Sequence, residues 1–184
     1  MSEVNKSYNN IGEILLSQDQ ILTRIDKLAV RITSDFEDSP RITVVGILKG
    51  ALLFMADLIR RIPLPIECEF VQIKTYESGT APTRPPEILF SSGFDAHGKH
   101  ILLVEDIIDT GGTLDYMVRR IAEQQPADLK VCVLLDKGKD RSVEIGLDYI
   151  GFEIPDKFVV GYGLDYAEEY RNLPYISALA DKIL

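Results

Sequence analysis

Apolar residues recur at helical spacing through Ile21, Leu22, Ile25, Leu28, Ala29, Ile32 and Phe36, the stripe of a helix that packs one face on a sheet. Ser17, followed three residues later by Gln20, makes a capping-box start, and Asp38-Ser39-Pro40 closes the segment. The period then shortens. Ile42–Leu48 is a continuous apolar run of strand type, Lys49-Gly50 a tight turn, and residues 51–62 return to helical spacing until Pro63 and Pro65 break it. Residues 66–73 alternate as a strand and residues 88–94 read as another; the polar turn 95–100 leads to the buried-type run 101–104. Residues 114–125 are helical up to Pro126, and residues 129–135 form a second fully apolar strand. Strand, helix, strand repeated in this way predicts parallel βαβ crossovers, with ligand loops at the carboxyl ends of the strands. Residues 149–154 and 158–162 are short strands split by Pro155-Asp156, and the apolar end of the tail 165–184 is expected to dock on the core, while residues 1–10 lack periodicity and read as a frayed tail.

One stretch breaks the alternation of elements. Residues 74–86, KTYESGTAPTRPP, hold three prolines and a glycine without an apolar stripe, which predicts a long mobile loop of the kind that serves as a lid. The 184 residues fit one α/β domain with a small appended lobe. A net charge of −9 argues against a surface built to neutralise a nucleic-acid backbone. No apolar run approaches the roughly 18–20 residues of a membrane span, and the polar start predicts a cytoplasmic protein. Cys68 and Cys132 lie in apolar runs and are expected as buried free thiols. His97 and His100 have a spacing that invites a metal, but they sit in a surface turn without a nearby cysteine, so no metal is assigned to them.

Residues 101–113, ILLVEDIIDTGGT, carry the chemistry. Thr110, Gly111, Gly112 and Thr113 open a helix, where hydroxyls and backbone amides attract a phosphate. The turn alone fits equally well a capped strand-to-helix connection. Glu105, Asp106 and Asp109 beside it change the picture, because three acids at a strand end repel one another unless they serve a ligand. A sugar whose hydroxyls need acceptors, a hard divalent cation, or a carbon that becomes cationic in its transition state would use them.

VEDIIDTGGTL resembles the phosphoribosyl-pyrophosphate (PRPP) motif of type I phosphoribosyltransferases. LKGA at residues 48–51, LLDK at 134–137 and GFEIPDKFVVGYGLDY at 151–166, with Arg171 beyond, are similar to the hypoxanthine-guanine branch, and the resemblance spans roughly residues 10–178. It implies a Rossmann-like parallel sheet flanked by helices, with a hood built from the N-terminal segment and roughly residues 140–184. The implied activity is purine salvage, joining hypoxanthine or guanine to PRPP with release of pyrophosphate. Mg²⁺ is the implied cofactor, and a homodimer or homotetramer the implied assembly.

Each residue then acquires an expected role. Glu105 and Asp106 hold the ribose hydroxyls and organise Mg²⁺, and Asp109 is the general base or acid near N7 of the purine. Thr110, Gly111, Gly112 and Thr113 hold the 5′-phosphate. Lys49 and Gly50 receive pyrophosphate in a loop that the family enters through a cis peptide, here between Leu48 and Lys49; Arg171 grips pyrophosphate, and Asp165 binds a second Mg²⁺. Lys137, by itself an unremarkable lysine after a buried strand, matches the donor to the purine 6-oxo group. Phe158, a core residue by periodicity alone, matches the aromatic stacked on the purine; Val159 meets the purine edge through its backbone and Ile107 packs beneath the base. Thr75 and Tyr76 match the closing loop, with Thr75 in place of the family's serine. Two alternatives remain: a transferase that prefers xanthine or guanine, and a non-catalytic nucleotide sensor on the same fold.

Overall fold

The computed structural model describes residues 11–78, 81–91, 93–138, 143 and 145–180. The sequence expectations for residues 1–10 and for the last four residues lie outside them. Nine strands and three helices alternate among the described residues: β1 (Ile11–Leu16), α1 (Gln18–Asp35), β2 (Ile42–Leu48), α2 (Ala51–Ile59), β3 (Ile66–Ser78), β4 (Ala81–Ser91), β5 (His100–Ile108), α3 (Gly112–Ala122), β6 (Asp128–Asp136), β7 (Tyr149–Glu153), β8 (Val159–Val160) and β9 (Ile176–Leu179).

Six strands form one sheet in the order β4-β3-β2-β5-β6-β7. All neighbours pair parallel except β4, which runs antiparallel to β3 at the edge. The central strands β2, β5 and β6 read as largely apolar runs because both faces are covered. Successive side chains point to opposite faces: Val44 and Leu102 pack towards α1 and α2, and Val45 and Leu103 towards α3. The chain leaves β2 for β3 on one side and β5 for β6 on the other. The topological switch point therefore lies between the carboxyl ends of β2 and β5, where open α/β sheets bind ligands.

β1, β9 and β8 form a small antiparallel sheet, the hood. Its residues Leu16, Val159, Tyr162, Leu164 and Ile176 share the α1–α2 side of the core. Tyr162 fixes it further, its hydroxyl donating to Asp57 Oδ2 of α2 at 2.6 Å.

Four expectations need correction. The hood begins after β7 rather than near residue 140, because Tyr149–Glu153 pairs with β6 in the large sheet. The lid segment is no irregular loop: β3 and β4 run through it as a hairpin, with Tyr76 opposite Arg84 and Glu77 opposite Pro82. Its prolines lie in an edge strand beside register irregularities, where a missing N–H is tolerated. Cys68 is exposed while Cys132 is buried, both as free thiols; Cys68 precedes the point at which β4 begins to cover β3. The two later helices end early, α2 at Ile59 and α3 at Ala122, the latter followed by left-handed Gln125.

Candidate active site

The loops after β2, β5 and β6 and the start of β8 meet at the switch point. A cleft of about 350 Å³ there is lined by Lys49, Gly50, Asp106, Ile107, Asp109, Lys137, Phe158, Val159, Leu164, Asp165 and Arg171. A second recess of about 140 Å³ adjoins it through Ile107 and Asp109, and adds Glu105, Thr110, Gly111, Gly112 and Thr113. Apart from Thr75 and Tyr76, every residue given a role in the site thus lines one of these two adjoining recesses. Those two lie in β3, and their side chains are outside the described residues.

The turn after β5 is shaped for an anion. Gly111 is the N-cap of α3 at φ +84°, and among the described residues no side-chain hydrogen bond caps the helix. The first amides of α3 therefore remain open to a ligand. Glycine is required at this φ, and the adjoining Ile145 and Val143 side chains leave little room for a Cβ.

The two acids that end β5 are buried. Burial pushes the Glu105 carboxyl well above its usual range, and the neighbouring Asp106 charge pushes it further. Burial also raises Asp106, against the opposing effects of a hydrogen bond from Glu105, backbone amides and the charge of Arg171. Both carboxyls are therefore harder to ionise than they are in water. Glu105 Oε2 is buried without a hydrogen-bond partner among the described residues, a cost retained when a ligand is to occupy it.

Asp106 turns towards the loop after β2. The Leu48–Lys49 peptide is cis, and a Cβ on Gly50 would overlap the Asp106 carboxylate. The hood presses on the same loop: Gly163, at φ +101°, has no space for a Cβ beside the Gly50 carbonyl oxygen. Sequence reasoning missed this glycine, although it stands within the GYGLD segment. Two glycine backbones thus bring the hood within reach of the sheet.

Around the rim, charges are paired. Lys137 Nζ lies 2.7 Å from Asp109 Oδ2 and 3.8 Å from Asp156 Oδ1. Arg171 holds Asp165 at 2.7 Å and Glu168 at 3.3 Å, donates to the Gly163 carbonyl at 2.8 Å, and leaves its buried Nε without a partner among the described residues. Lys49 Nζ meets the other oxygen of Glu168 at 2.9 Å. Phe158 is partly exposed over the cleft, its ring edge-on to Tyr166 at 5.6 Å. Glu168 also escaped the sequence reading, because it passes as one acid among several in the tail.

Hard oxygen donors suit Mg²⁺, and the unpartnered oxygen of Glu105 fits that use. Among the described residues no three His, Cys, Asp or Glu side chains converge as a complete metal site. Glu105 with Asp106, and Asp165 across the cleft, are partial sets that a polyanionic substrate would complete.

Residues 12–167 match the family model described as phosphoribosyl transferase domain. The chain is 45% identical over 175 residues to the hypoxanthine-guanine phosphoribosyltransferase of Streptococcus pneumoniae, covering 95% of this chain and 97% of that protein. It is 42% identical over 176 residues, 96% of this chain, to the bifunctional protein TilS/HprT of Listeria monocytogenes, but spans only 27% of that protein's length. The crystal structure of a hypoxanthine phosphoribosyltransferase from Staphylococcus aureus superposes with a TM-score of 0.92 at 38% identity, covering 100% of this chain and 98% of that one. No helix among the described residues is long and apolar enough to cross a membrane.

Proposed function

Because the chain belongs to the phosphoribosyltransferase family, in its hypoxanthine-guanine branch, we propose that it joins a 6-oxopurine to the ribose 5-phosphate of PRPP and releases pyrophosphate, a purine-salvage reaction. The observation that carries this reading is the single crevice in which the turn 110–113, the acids of β5, the Lys49-Gly50 loop and the Lys137–Phe158 wall all open.

The turn binds the 5′-phosphate through the amides of Gly111 and Gly112 and the hydroxyls of Thr110 and Thr113. Glu105 and Asp106 accept hydrogen bonds from the ribose hydroxyls. The purine lies between Phe158 and Ile107, where a base–aromatic stack contributes about 1–3 kcal/mol, and its edge meets the Val159 backbone. Lys137 and Asp109, 2.7 Å apart, suit two neighbouring atoms on one purine edge, the 6-oxygen and N7. An ammonium donates and cannot accept, so it pairs with a 6-oxo group and not with a 6-amino group. As N9 bonds to C1′ and the bond from C1′ to pyrophosphate breaks, Asp109 takes the proton that leaves N7. The carboxylates beneath the sugar stabilise the positive charge that develops at C1′. Lys49, the Gly50 backbone and Arg171 receive the pyrophosphate. Mg²⁺ held by Glu105 and Asp106, with a second ion at Asp165, would neutralise the leaving group. The β3–β4 hairpin bearing Thr75 and Tyr76 is the candidate cover that keeps water out. A homodimer or homotetramer in the cytoplasm belongs to the same reading.

The test is PRPP-dependent pyrophosphate release with hypoxanthine, guanine, xanthine and adenine in parallel. Turnover with hypoxanthine or guanine and none with adenine is expected. A rate with xanthine above both favours the xanthine-preferring alternative, and PRPP binding without turnover on any base favours the sensor.

A further inference from the structure

Glu168 is a charged residue in a backbone position that its side chain disfavours. Ala167 and Glu168 have φ of +52° and +66°, and the Glu169 N–H donates to the Tyr166 carbonyl at 3.0 Å, the arrangement of a type I′ turn. Glycine, asparagine and aspartate dominate both central positions of that turn. A glutamate held there against local preference points to a use for its side chain. The turn is braced, because Asp165 Oδ2 accepts from the Glu168 N–H at 2.9 Å. The carboxylate then reaches two cations from different parts of the fold: Lys49 at 2.9 Å on the loop after β2, and Arg171 at 3.3 Å in the hood.

Resting on the reading above, in which Lys49 and Arg171 receive pyrophosphate, we propose that Glu168 is an internal stand-in for that anion. Its carboxylate bridges the two cations while the site is empty, is displaced when PRPP or pyrophosphate arrives, and returns as pyrophosphate leaves. Its side chain is well exposed, so each pair is a weak one that a polyanion displaces readily. The exchange keeps the two cations positioned between turnovers and weakens product binding, which favours release. No bond is made or broken; the step is an exchange of counter-ions.

The experiment measures binding of magnesium pyrophosphate, PRPP and inosine monophosphate by calorimetry to the full chain, wild type and Glu168→Gln. Pyrophosphate and PRPP are expected to bind about three- to tenfold tighter to the variant, the gain from removing two weak internal pairs. Affinity for the nucleotide, which needs neither cation, is expected to stay within twofold. Glu168→Asn, which suits the left-handed position, should give the same tightening without loss of thermal stability and covers the case in which Gln disturbs the turn. Unchanged or weaker pyrophosphate binding in both variants overturns the proposal while wild-type binding leaves the functional reading standing. Equal tightening of all three ligands also overturns it, since it would mark a general rearrangement. Failure of wild type to bind pyrophosphate or PRPP overturns both.

Discussion

The two halves of the crevice hold their charges in opposite ways. At the end of β5, Glu105 and Asp106 are buried against each other with no basic side chain in a salt bridge to either among the described residues, and one carboxylate oxygen has no partner. On the rim and hood, Lys137 is paired with Asp109, Arg171 with Asp165, and Lys49 with Glu168. A ligand satisfies unmet demand in the first half and must exchange existing partners in the second. On the proposed function, binding free energy then comes chiefly from the sheet side, whereas selectivity and release are set where a partner is exchanged. Substitutions in each half, and at the point where they meet, test that division.

The largest effect belongs to Asp109, which stands where the halves meet. Asp109→Asn keeps shape and hydrogen bonding but removes the proton acceptor, and leaves Lys137 without its nearest counter-ion. Steady-state kinetics should show kcat reduced by about 10²- to 10⁴-fold with little change in the KM for PRPP. A KM for PRPP that rises as far as kcat falls would mean that Asp109 serves binding, and the division would fail at its centre.

A smaller effect is expected from Lys137→Gln. The amide can both donate and accept, so it meets a 6-amino group as well as a 6-oxo group, and Asp109 loses the cation 2.7 Å away. The ratio of kcat/KM for hypoxanthine over adenine should fall by about ten- to a hundredfold, the worth of one hydrogen bond to a charged group. An unaltered ratio would show that the rim does not set base choice.

The same division separates what could be read from the sequence alone. The sheet side was legible in the residues: apolar runs gave β2, β5 and β6, the crossovers gave their parallel pairing, and the turn 110–113 pointed to a ligand once the three acids beside it were weighed. The hood was not. Phe158 follows the periodicity of a core residue yet lies partly exposed over the cleft, and Lys137 after a buried strand is ordinary until Asp109 is found 2.7 Å away. Only the resemblance to a family singled those two out. Glu168 and Gly163 escaped both readings, because their meaning lies in contacts with Lys49 and Gly50, more than a hundred residues earlier. β1 was missed because its partner β9 is the far end of the chain, and the β3–β4 hairpin because its prolines signal a loop unless the strand is known to be an edge.

The smallest effect tests the sheet side directly, and it has the less intuitive sign. Burial and the Asp106 charge hold the Glu105 carboxyl above its usual range, so the folded protein retains a proton that the unfolded chain releases. The stability linked to this group is full below the ordinary carboxylate value and is lost as pH rises through the raised one. Asp106 is raised as well and acts in the same direction. Glu67 and Glu168 are lowered, the first mainly by its hydrogen bond with Lys99 and the second mainly by that with Lys49. Their linked stability is lost only as pH falls below the ordinary carboxylate value, so above about pH 5 they add a constant. Glu105→Gln removes the charge that ionisation of this carboxyl places in the buried site. Without ligand, once pH exceeds the raised Glu105 value, the variant should melt about 2–4 °C above wild type, equivalent to about 1 kcal/mol. The gap should close as pH falls and Glu105 regains its proton. Adding magnesium and PRPP should reverse the order, because only the wild type gains a ligand for its unpartnered oxygen. A variant that without ligand stays less stable than wild type even as pH rises would mean that the β5 acids are already satisfied in the empty protein, and the contrast between the two halves of the crevice would be lost.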